Sequence, residues 1–190
     1  MYTPQHFKSA APWQEMLRRH AFGLLITSSG DELWTTHLPY LLADDGETVR
    51  MHMARANPHW QAIEQQPLCR FVVQGERGYI SPDWYDTPES VPTWNYEAVH
   101  VEGSAALSFD EDTLWQLPRQ MAARFEEPDA WQVDRLSEAF RRPRLKSIVG
   151  VTLLVERGEA KQKLSQNRSA AERRRGDGRL ADVIEALLDE

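Results

Sequence analysis

The sequence predicts a mainly β protein of the α+β class, an antiparallel barrel with peripheral helices. Three observations lead to this fold class. Strand-forming runs separated only by short turns fill the first third of the chain. The helical segments come late and do not alternate regularly with strands, which disfavours a doubly wound parallel sheet. The chain has 190 residues, of which 41% are hydrophobic, so we expect a single domain over residues 1–190 with its own core.

The first half of the chain contains the hairpins of the predicted barrel. Pro12 opens a helix, because proline suits the first helical turn and apolar residues follow it at helical spacing. Strands are predicted over residues 22–28, 32–42 and 48–54, with turns at residues 29–31 and 44–46 between them. Asn57 and Pro58 then end the third strand and begin a short helix over residues 58–65.

The second half combines long strands with inserted helices. Strands are predicted over residues 68–74, 94–107 and 148–155, with a brief extended piece at 78–80 and a proline-rich loop at 81–92. A capping box at residues 108–111 predicts a helical region over 110–127, interrupted at Pro118. Another amphipathic helix is expected over 131–141, so the inserted helices span about residues 110–145. The tail, about residues 169–190, is predicted to be helical because its aliphatic side chains share one helical face.

Composition excludes several classes of protein. No run approaches the roughly 20 apolar residues that cross a bilayer, and the N-terminus lacks a secretory signal, so no membrane partner is expected. The single cysteine, Cys69, excludes an intramolecular disulfide and zinc sites built on paired cysteines, and we expect a cytoplasmic location. The net charge of −7 argues against a surface that binds nucleic acid as a whole, but not against a local basic patch.

The signatures of several enzyme classes are also absent. The chain has no glycine-rich dinucleotide fingerprint, no phosphate-binding loop and no Gly-x-Ser-x-Gly elbow. Its six histidines show no pair of the zinc-protease type, so no metal site is predicted.

Two segments at predicted strand ends are candidate anion or ring sites. Arg55 lies where a strand ends before a helix. This is a good position for a phosphate, because the guanidinium charge and the amides at the start of the helix both attract an anion. The alternative, which the segment taken alone favours, is that Asn57 caps the helix and Arg55 is a solvated charge. In residues 91–100, Trp94 and Tyr96 alternate with Asn95, which suits a planar ligand or plain cross-strand packing of aromatic rings.

Two further segments have the same ambiguity. The loop at residues 78–85 holds Ser81 among aromatic residues, and it covers either a ligand or the core of the protein itself. Residues 161–168, with Lys163 and Gln166, begin the one basic region of this acidic chain. That region continues to the arginines at 173–175, and it suits a phosphate, a flavin edge or a DNA backbone, the alternative being a solvated helix face.

Taken together, these segments resemble one family. The motifs MYTPQHF, THLPYLL, ARANPHW, GYISPDWY, VPTWNYEAVHVEG and KLSQNR, in this order and spacing, resemble the PaiB family of FMN-binding negative transcriptional regulators. The resemblance covers about residues 1–168 and departs from the family pattern at Asp83 and Gln162. It implies a split β-barrel related to pyridoxamine-phosphate oxidase and flavin reductases, and a homodimer with FMN at the subunit interface.

The resemblance also implies which residues contact FMN. Arg55 occupies the motif that holds the flavin phosphate in such barrels. The candidate contacts to phosphate, ribityl chain and ring are Arg55, Asn57, Ser81, Trp94, Asn95, Lys163 and Gln166.

Three functions remain open at this point. The first is negative regulation of transcription, either indirect or through DNA bound by Arg173, Arg174 and Arg175, although the chain shows no helix-turn-helix. The second is an FMN-dependent oxidoreductase, reductase-like or oxidase-like, acting on a small molecule with the flavin supplying the redox chemistry. No residue is identified as its catalytic acid or base, and His37, His59 and His100 are the candidates that titrate near neutral pH. The third is a dimer whose flavin site has degenerated.

Overall fold

The structure is a computed structural model that describes residues 1–85, 89–127 and 130–168. Within these residues the strands are β1 Phe22–Ser29, β2 Glu32–Leu42, β3 Thr48–Ala54, β4 Leu68–Ile80, β5 Thr93–Ser108 and β6 Ile148–Lys163. The α-helices are α1 Trp13–Arg19, α2 His59–Gln65, α3 Glu111–Phe125 and α4 Glu138–Leu145. None of the helices in these three stretches is long and apolar enough to cross a membrane.

The strands form a closed barrel in the order β1-β2-β3-β6-β5-β4. The β1–β2 hairpin pairs Phe22 with Pro39 and ends where Ser29 meets Glu32, with Gly30 in the turn at φ +60°. β3 pairs with β2 and, on its other side, antiparallel with β6, from Thr48↔Leu154 to Ala54↔Ile148. The mainly β fold with peripheral helices is therefore confirmed.

The chain divides into two compact units. The first contains Met1–His20, Val73–His100 and the described residues from Glu159 onward, and the second contains Ala21–Val72 and Val101–Gly158. The prediction of one domain over residues 1–190 stays a prediction.

Each unit has a core of its own. In the second unit Val49, Met51 and Met53 alternate inward along β3, as their period-2 spacing predicts. The fully buried Tyr40 meets Phe71 edge to face, with ring centroids 5.0 Å apart. In the first unit the buried side chains include Phe7, Met16, Leu17, Ile80, Val99 and Leu164. Burying such apolar side chains stabilises each unit by roughly 1.5–3 kcal/mol per side chain.

The inserted helices differ from the sequence prediction in two places. α3 is a continuous helix that contains Pro118, so the interruption predicted at this residue is wrong, although an interior proline removes one backbone hydrogen bond. Its N-cap is Asp110, whose carboxylate accepts the Thr113 N–H at 2.8 Å, so the capping box predicted at residues 108–111 was placed two residues too early.

The helix predicted over residues 131–141 is also wrong. A short 3-10 turn at Val133–Arg135 comes first, and α4 begins later, where Ser137 caps it by accepting the Phe140 N–H. Ser137 competes with helix continuation because a serine hydroxyl bonds backbone N–H groups at a helix start.

Two strands are longer than predicted by more than five residues. β4 continues without a break to Ile80, and β6 extends to Lys163, so Lys161 and Lys163 lie on a strand and not on a helix face. The predicted tail over residues 169–190, with the arginines at 173–175, lies outside the described residues.

Candidate functional site

The structure distributes the seven predicted FMN-binding residues over both units. Arg55 and Asn57 lie in the second unit, at the junction of β3 and α2. The residues in the first unit are Ser81, Trp94, Asn95, Lys163 and Gln166.

Arg55 presents an exposed guanidinium at the end of β3. The group lies over the Phe109 ring, 4.9 Å from its centroid, and no carboxylate in the described residues pairs with it. The backbone holds the residue in place, because the Arg55 N–H donates to the Ser147 carbonyl at 2.7 Å and the Trp60 indole N–H donates to the Arg55 carbonyl at 2.9 Å. The junction therefore offers a positioned cation to an anionic ligand.

Asn57 builds the turn between β3 and α2. Its Oδ1 accepts the His59 N–H at 3.1 Å, and its Nδ2 donates to Thr36 Oγ1 at 3.1 Å. The first amide of the seven-residue helix α2 is thus already satisfied by Asn57. One of the helix amides invoked in the sequence argument is therefore already engaged, and Asn57 holds the loop.

His59, which the sequence analysis named only as a candidate acid or base, also lies at this junction. Its side chain is buried, its Nδ1 lies 2.8 Å from Thr36 Oγ1, and the Trp34 ring stacks near it at 6.3 Å. Its Nε2 is buried and has no hydrogen-bond partner among the described residues. Burial lowers the pKa of His59, so the ring is neutral at pH 7.

The donor set at this junction fits a phosphate. A buried nitrogen without a partner costs free energy until a ligand or water satisfies it. Here His59, whose Nε2 has no partner among the described residues, is the first residue of α2 and follows the exposed Arg55 by four positions. An imidazole N–H and a guanidinium are both good donors to a phosphate oxygen.

In the first unit, Lys163 and Trp94 are joined directly. Lys163 Nζ donates to the Trp94 carbonyl at 2.6 Å and also to Thr93 Oγ1. Burial, and secondarily the charge of Lys161, lower the pKa of Lys163 below its usual range. The Trp94 ring is 54% exposed and meets Tyr79 edge to face at 5.9 Å, so it presents an aromatic surface outward.

The other three candidates in this unit stabilise loops. Asn95 is fully buried, and its Oδ1 accepts from Ser165 Oγ at 3.0 Å, which lies 3.0 Å from the Tyr85 hydroxyl. Gln166 closes a turn by accepting the Leu164 N–H and donating to a backbone carbonyl. Ser81 caps the short 3-10 turn that follows it. Asn95, Gln166 and Ser81 therefore shape the segments that carry exposed groups.

A buried carboxylate in the first unit was missed from the sequence. The Glu97 side chain is only 1% exposed and lies 3.4 Å from Arg19 Nη2 and 4.0 Å from His20 Nε2, while Gln162 Nε2 donates to it. Burial alone would raise the pKa of Glu97, but hydrogen bonds from His20 and Gln162 and the charge of Arg19 hold it below its usual range. The alternation of β5 was the available signal, because Asn95, Glu97 and Val99 share the inward face.

Gly75 makes room for this network. A Cβ at this position would lie 2.8 Å from His20 Nε2 and 2.9 Å from Glu97 Oε2. We expect Gly75→Ala to lower the free energy of unfolding by about 1–2 kcal/mol, in the range of other overpacked sites. Chemical denaturation of the two proteins measures this difference. Equal midpoints would show that the network around Glu97 accommodates a methyl group at this position without loss of stability.

Comparison with known proteins identifies relatives over the whole chain. The sequence matches the family described as "Putative FMN-binding domain" over residues 1–157. "Protease synthase and sporulation protein PAI 2" of Bacillus subtilis is 34% identical over 198 residues, covering 100% of this chain and 90% of that protein. An uncharacterised protein of Saccharomyces cerevisiae is 31% identical over 137 residues, covering 58% of this chain and 81% of that protein.

Solved structures share the fold. A FAD and heme binding protein from Mycobacterium smegmatis superposes with a TM-score of 0.62 at 10% identity, covering 87% of this chain and 76% of that one. A flavocytochrome from Azotobacter vinelandii gives a TM-score of 0.61 at 16% identity, covering 79% and 65%. At these identities the likeness concerns the fold alone.

Proposed function

The chain belongs to the family described as "Putative FMN-binding domain", its cofactor is FMN, and on that basis we propose that it is a flavin-dependent negative regulator of transcription of the PaiB type. The resemblance drawn from the sequence motifs is confirmed by the match to PAI 2 along the full chain. The regulatory role is the further step, and it rests on that relationship.

The observation that carries the flavin assignment is the junction of β3 and α2. We assign the FMN phosphate to the Arg55 guanidinium and to His59 Nε2, with Asn57 and Thr36 holding the imidazole in place. When bound, FMN supplies reversible redox chemistry that the protein's own side chains lack. The protein's part is to orient the cofactor and to neutralise its phosphate charge.

The candidates of the first unit are proposed as flavin contacts within that unit. Trp94 offers an exposed ring for stacking, and Lys163, which donates to the Trp94 carbonyl, offers a cation for an anionic or carbonyl edge. Ser81, Asn95 and Gln166 take part by holding the segments that carry these groups. We further propose a cytoplasmic homodimer with FMN at its interface, which the exposed Tyr79 and Trp94 rings support as apolar surface available for a partner.

Direct regulation requires DNA binding, and the tail arginines are the proposed contacts. We expect the full chain to bind a labelled duplex at low salt, with log K falling linearly against log salt. Replacing Arg173, Arg174 and Arg175 by alanine should reduce the slope by roughly 0.9 for each phosphate that these side chains neutralise. The matched control is the replacement of Arg70 and Arg157, which are both paired with Glu102 and should leave the slope unchanged. Absence of binding at low salt would mean that any regulation by this protein is indirect.

One observation keeps an FMN-dependent oxidoreductase as the second candidate. The chain shares its fold with a flavocytochrome, and such a barrel fits an FMN-dependent oxidoreductase as well. Anaerobic addition of NADH or NADPH to the FMN-loaded protein tests this reading. Bleaching of the flavin faster than that of free FMN would support an enzyme, and equal rates would support a sensor.

A further inference from the structure

The inserted helices line a cavity. The sequence motifs that carry the family resemblance do not include these helices. The cavity has a volume of about 250 Å³ and lies in the second unit, between α3, α4, the turn at Val133–Arg135 and the outer face of β3. Pockets for drug-sized ligands usually measure roughly 300–1,000 Å³, so this cavity suits a ligand of one or two rings and is too small for FMN.

Two tryptophans give the cavity an aromatic wall. Trp115 of α3 is half-buried, and Trp131 is 49% exposed although it lines the cavity. The rest of the lining is mainly aliphatic, with Val133, Leu136 and Leu145. Large rings left partly in water at a concave surface favour a planar apolar ligand.

The charged part of the lining is entirely basic. Arg141 places its guanidinium 4.9 Å from the centroid of the Trp115 ring, and Arg144 stacks on Phe140 while donating to the Phe140 carbonyl. Neither pairs with a carboxylate of a described residue, and no acidic side chain lines the cavity. The neighbouring Arg142 does not line the cavity and has acidic partners, Glu111 at 3.3 Å and Glu138 at 3.8 Å. In a chain of net charge −7, such a basic lining favours an anionic ligand.

One residue of the cavity lining carries a buried polar atom without a partner among the described residues. His52 of β3 lines the cavity, and its Nδ1 is buried with no hydrogen-bond partner among the described residues. A buried nitrogen of this kind is satisfied by a ligand or by water. The cavity thus combines an aromatic wall, a cationic rim and an unpaired nitrogen.

From this arrangement we infer that the helical insertion forms a second binding site, separate from the flavin site, for a small aromatic carboxylate. The ring lies against Trp115 and Trp131, and the carboxylate accepts hydrogen bonds from Arg141 and His52.

The cavity has a direct structural connection to Arg55. Ser147 lines the cavity, its hydroxyl donates to the Arg144 carbonyl at 2.7 Å, and its own carbonyl accepts the Arg55 N–H at 2.7 Å. His52 lies three residues before Arg55 along the same segment of chain. Through these hydrogen bonds a carboxylate bound at this wall would shift Arg55, and it would so act as an effector of FMN binding. This second statement rests on the proposed flavin site, whereas the binding site itself does not.

Calorimetric titration of the flavin-free full chain tests the site. The probe is indole-3-acetate, and indole-3-acetamide is its uncharged counterpart. We expect the carboxylate to bind at least about tenfold more tightly than the amide, and Arg141→Met to remove at least about tenfold in affinity, the size of a hydrogen bond to a charged group. Arg142→Met is the matched control and should bind like the unaltered protein. Equal binding of acid and amide, equal loss in both variants, or no binding of the acid would each overturn the site.

The effector role is tested separately, by titrating FMN with and without saturating indole-3-acetate. We expect the apparent FMN dissociation constant to change by at least about threefold, with the reciprocal change in the affinity for the carboxylate. An unchanged constant overturns the effector role while leaving the binding site in place. A protein that binds no FMN at all would contradict the proposed function, and the calorimetric result would still decide the second site.

Discussion

Replacement of Arg55 by alanine is expected to weaken FMN binding by about 1.5–3 kcal/mol, the value of a hydrogen bond to a charged group, or roughly 10- to 150-fold in the dissociation constant. The reason is that the guanidinium is held at the end of β3 by backbone hydrogen bonds and has no carboxylate partner among the described residues. Quenching of flavin fluorescence on titration with flavin-free protein measures the FMN dissociation constants of the unaltered protein and the variant.

Arg50→Ala is the matched control for this experiment. Arg50 lies on the same strand, near the opposite end, where its charge acts on the Asp45 carboxylate. Its removal should leave the FMN dissociation constant within about twofold of the original, since it contributes no hydrogen bond to the proposed phosphate site. Equal affinities in the Arg55 variant and the unaltered protein would remove Arg55 from the flavin site.

Glu97→Gln is expected to have the largest effect on stability. Removing one partner of a buried ion pair costs roughly 3–5 kcal/mol, and since the Arg19 side chain remains 23% exposed we expect about 2–3 kcal/mol here. Urea denaturation at pH 7 measures this loss. Glu102→Gln is the matched control on the same strand, because its partners Arg70 and Arg157 are exposed, and exposed pairs contribute about 0–1 kcal/mol. Equal losses of unfolding free energy in the two variants would show that the burial of Glu97 does not increase its contribution to stability.

The loss of stability in Glu97→Gln is expected to depend on pH. The folded pKa of Glu97 lies below the ordinary value of 4.5, so its ionised form contributes stability that is present above that value. This contribution is lost as the pH falls through the folded pKa. The difference between the unaltered protein and Glu97→Gln should therefore be constant from pH 6 to pH 7 and shrink below about pH 4. A difference that does not change with pH would assign the loss to packing instead of charge.

The strands were the part of the fold that the sequence predicted best. β2 and β3 have the predicted bounds because turn residues flank both strands and because apolar residues alternate along β3. The inserted helices were predicted less well. Ser137 and Asp110 each compete with nearby residues for the capping position, and local sequence does not decide which of them wins.

In the candidate site, too, features set by local sequence were easier to predict than features set by tertiary structure. Arg55 was proposed from its position at a strand end together with the family resemblance, whereas the role proposed for His59 depends on Thr36, which only the folding of β2 against the junction brings to 2.8 Å. Glu97 was missed because a carboxylate on an inward face is rare unless it is paired, and its partners Arg19 and Gln162 are far away in sequence. Pairing across such separations is set by tertiary structure.

The central claim is that this chain holds FMN, and a visible absorption spectrum tests it most directly. The purified protein is mixed with excess FMN, desalted and measured beside Arg55→Ala. We expect the bands of oxidised flavin to remain with the unaltered protein and to be largely lost from the variant. A desalted protein without flavin bands, even after incubation with excess FMN, would contradict the account.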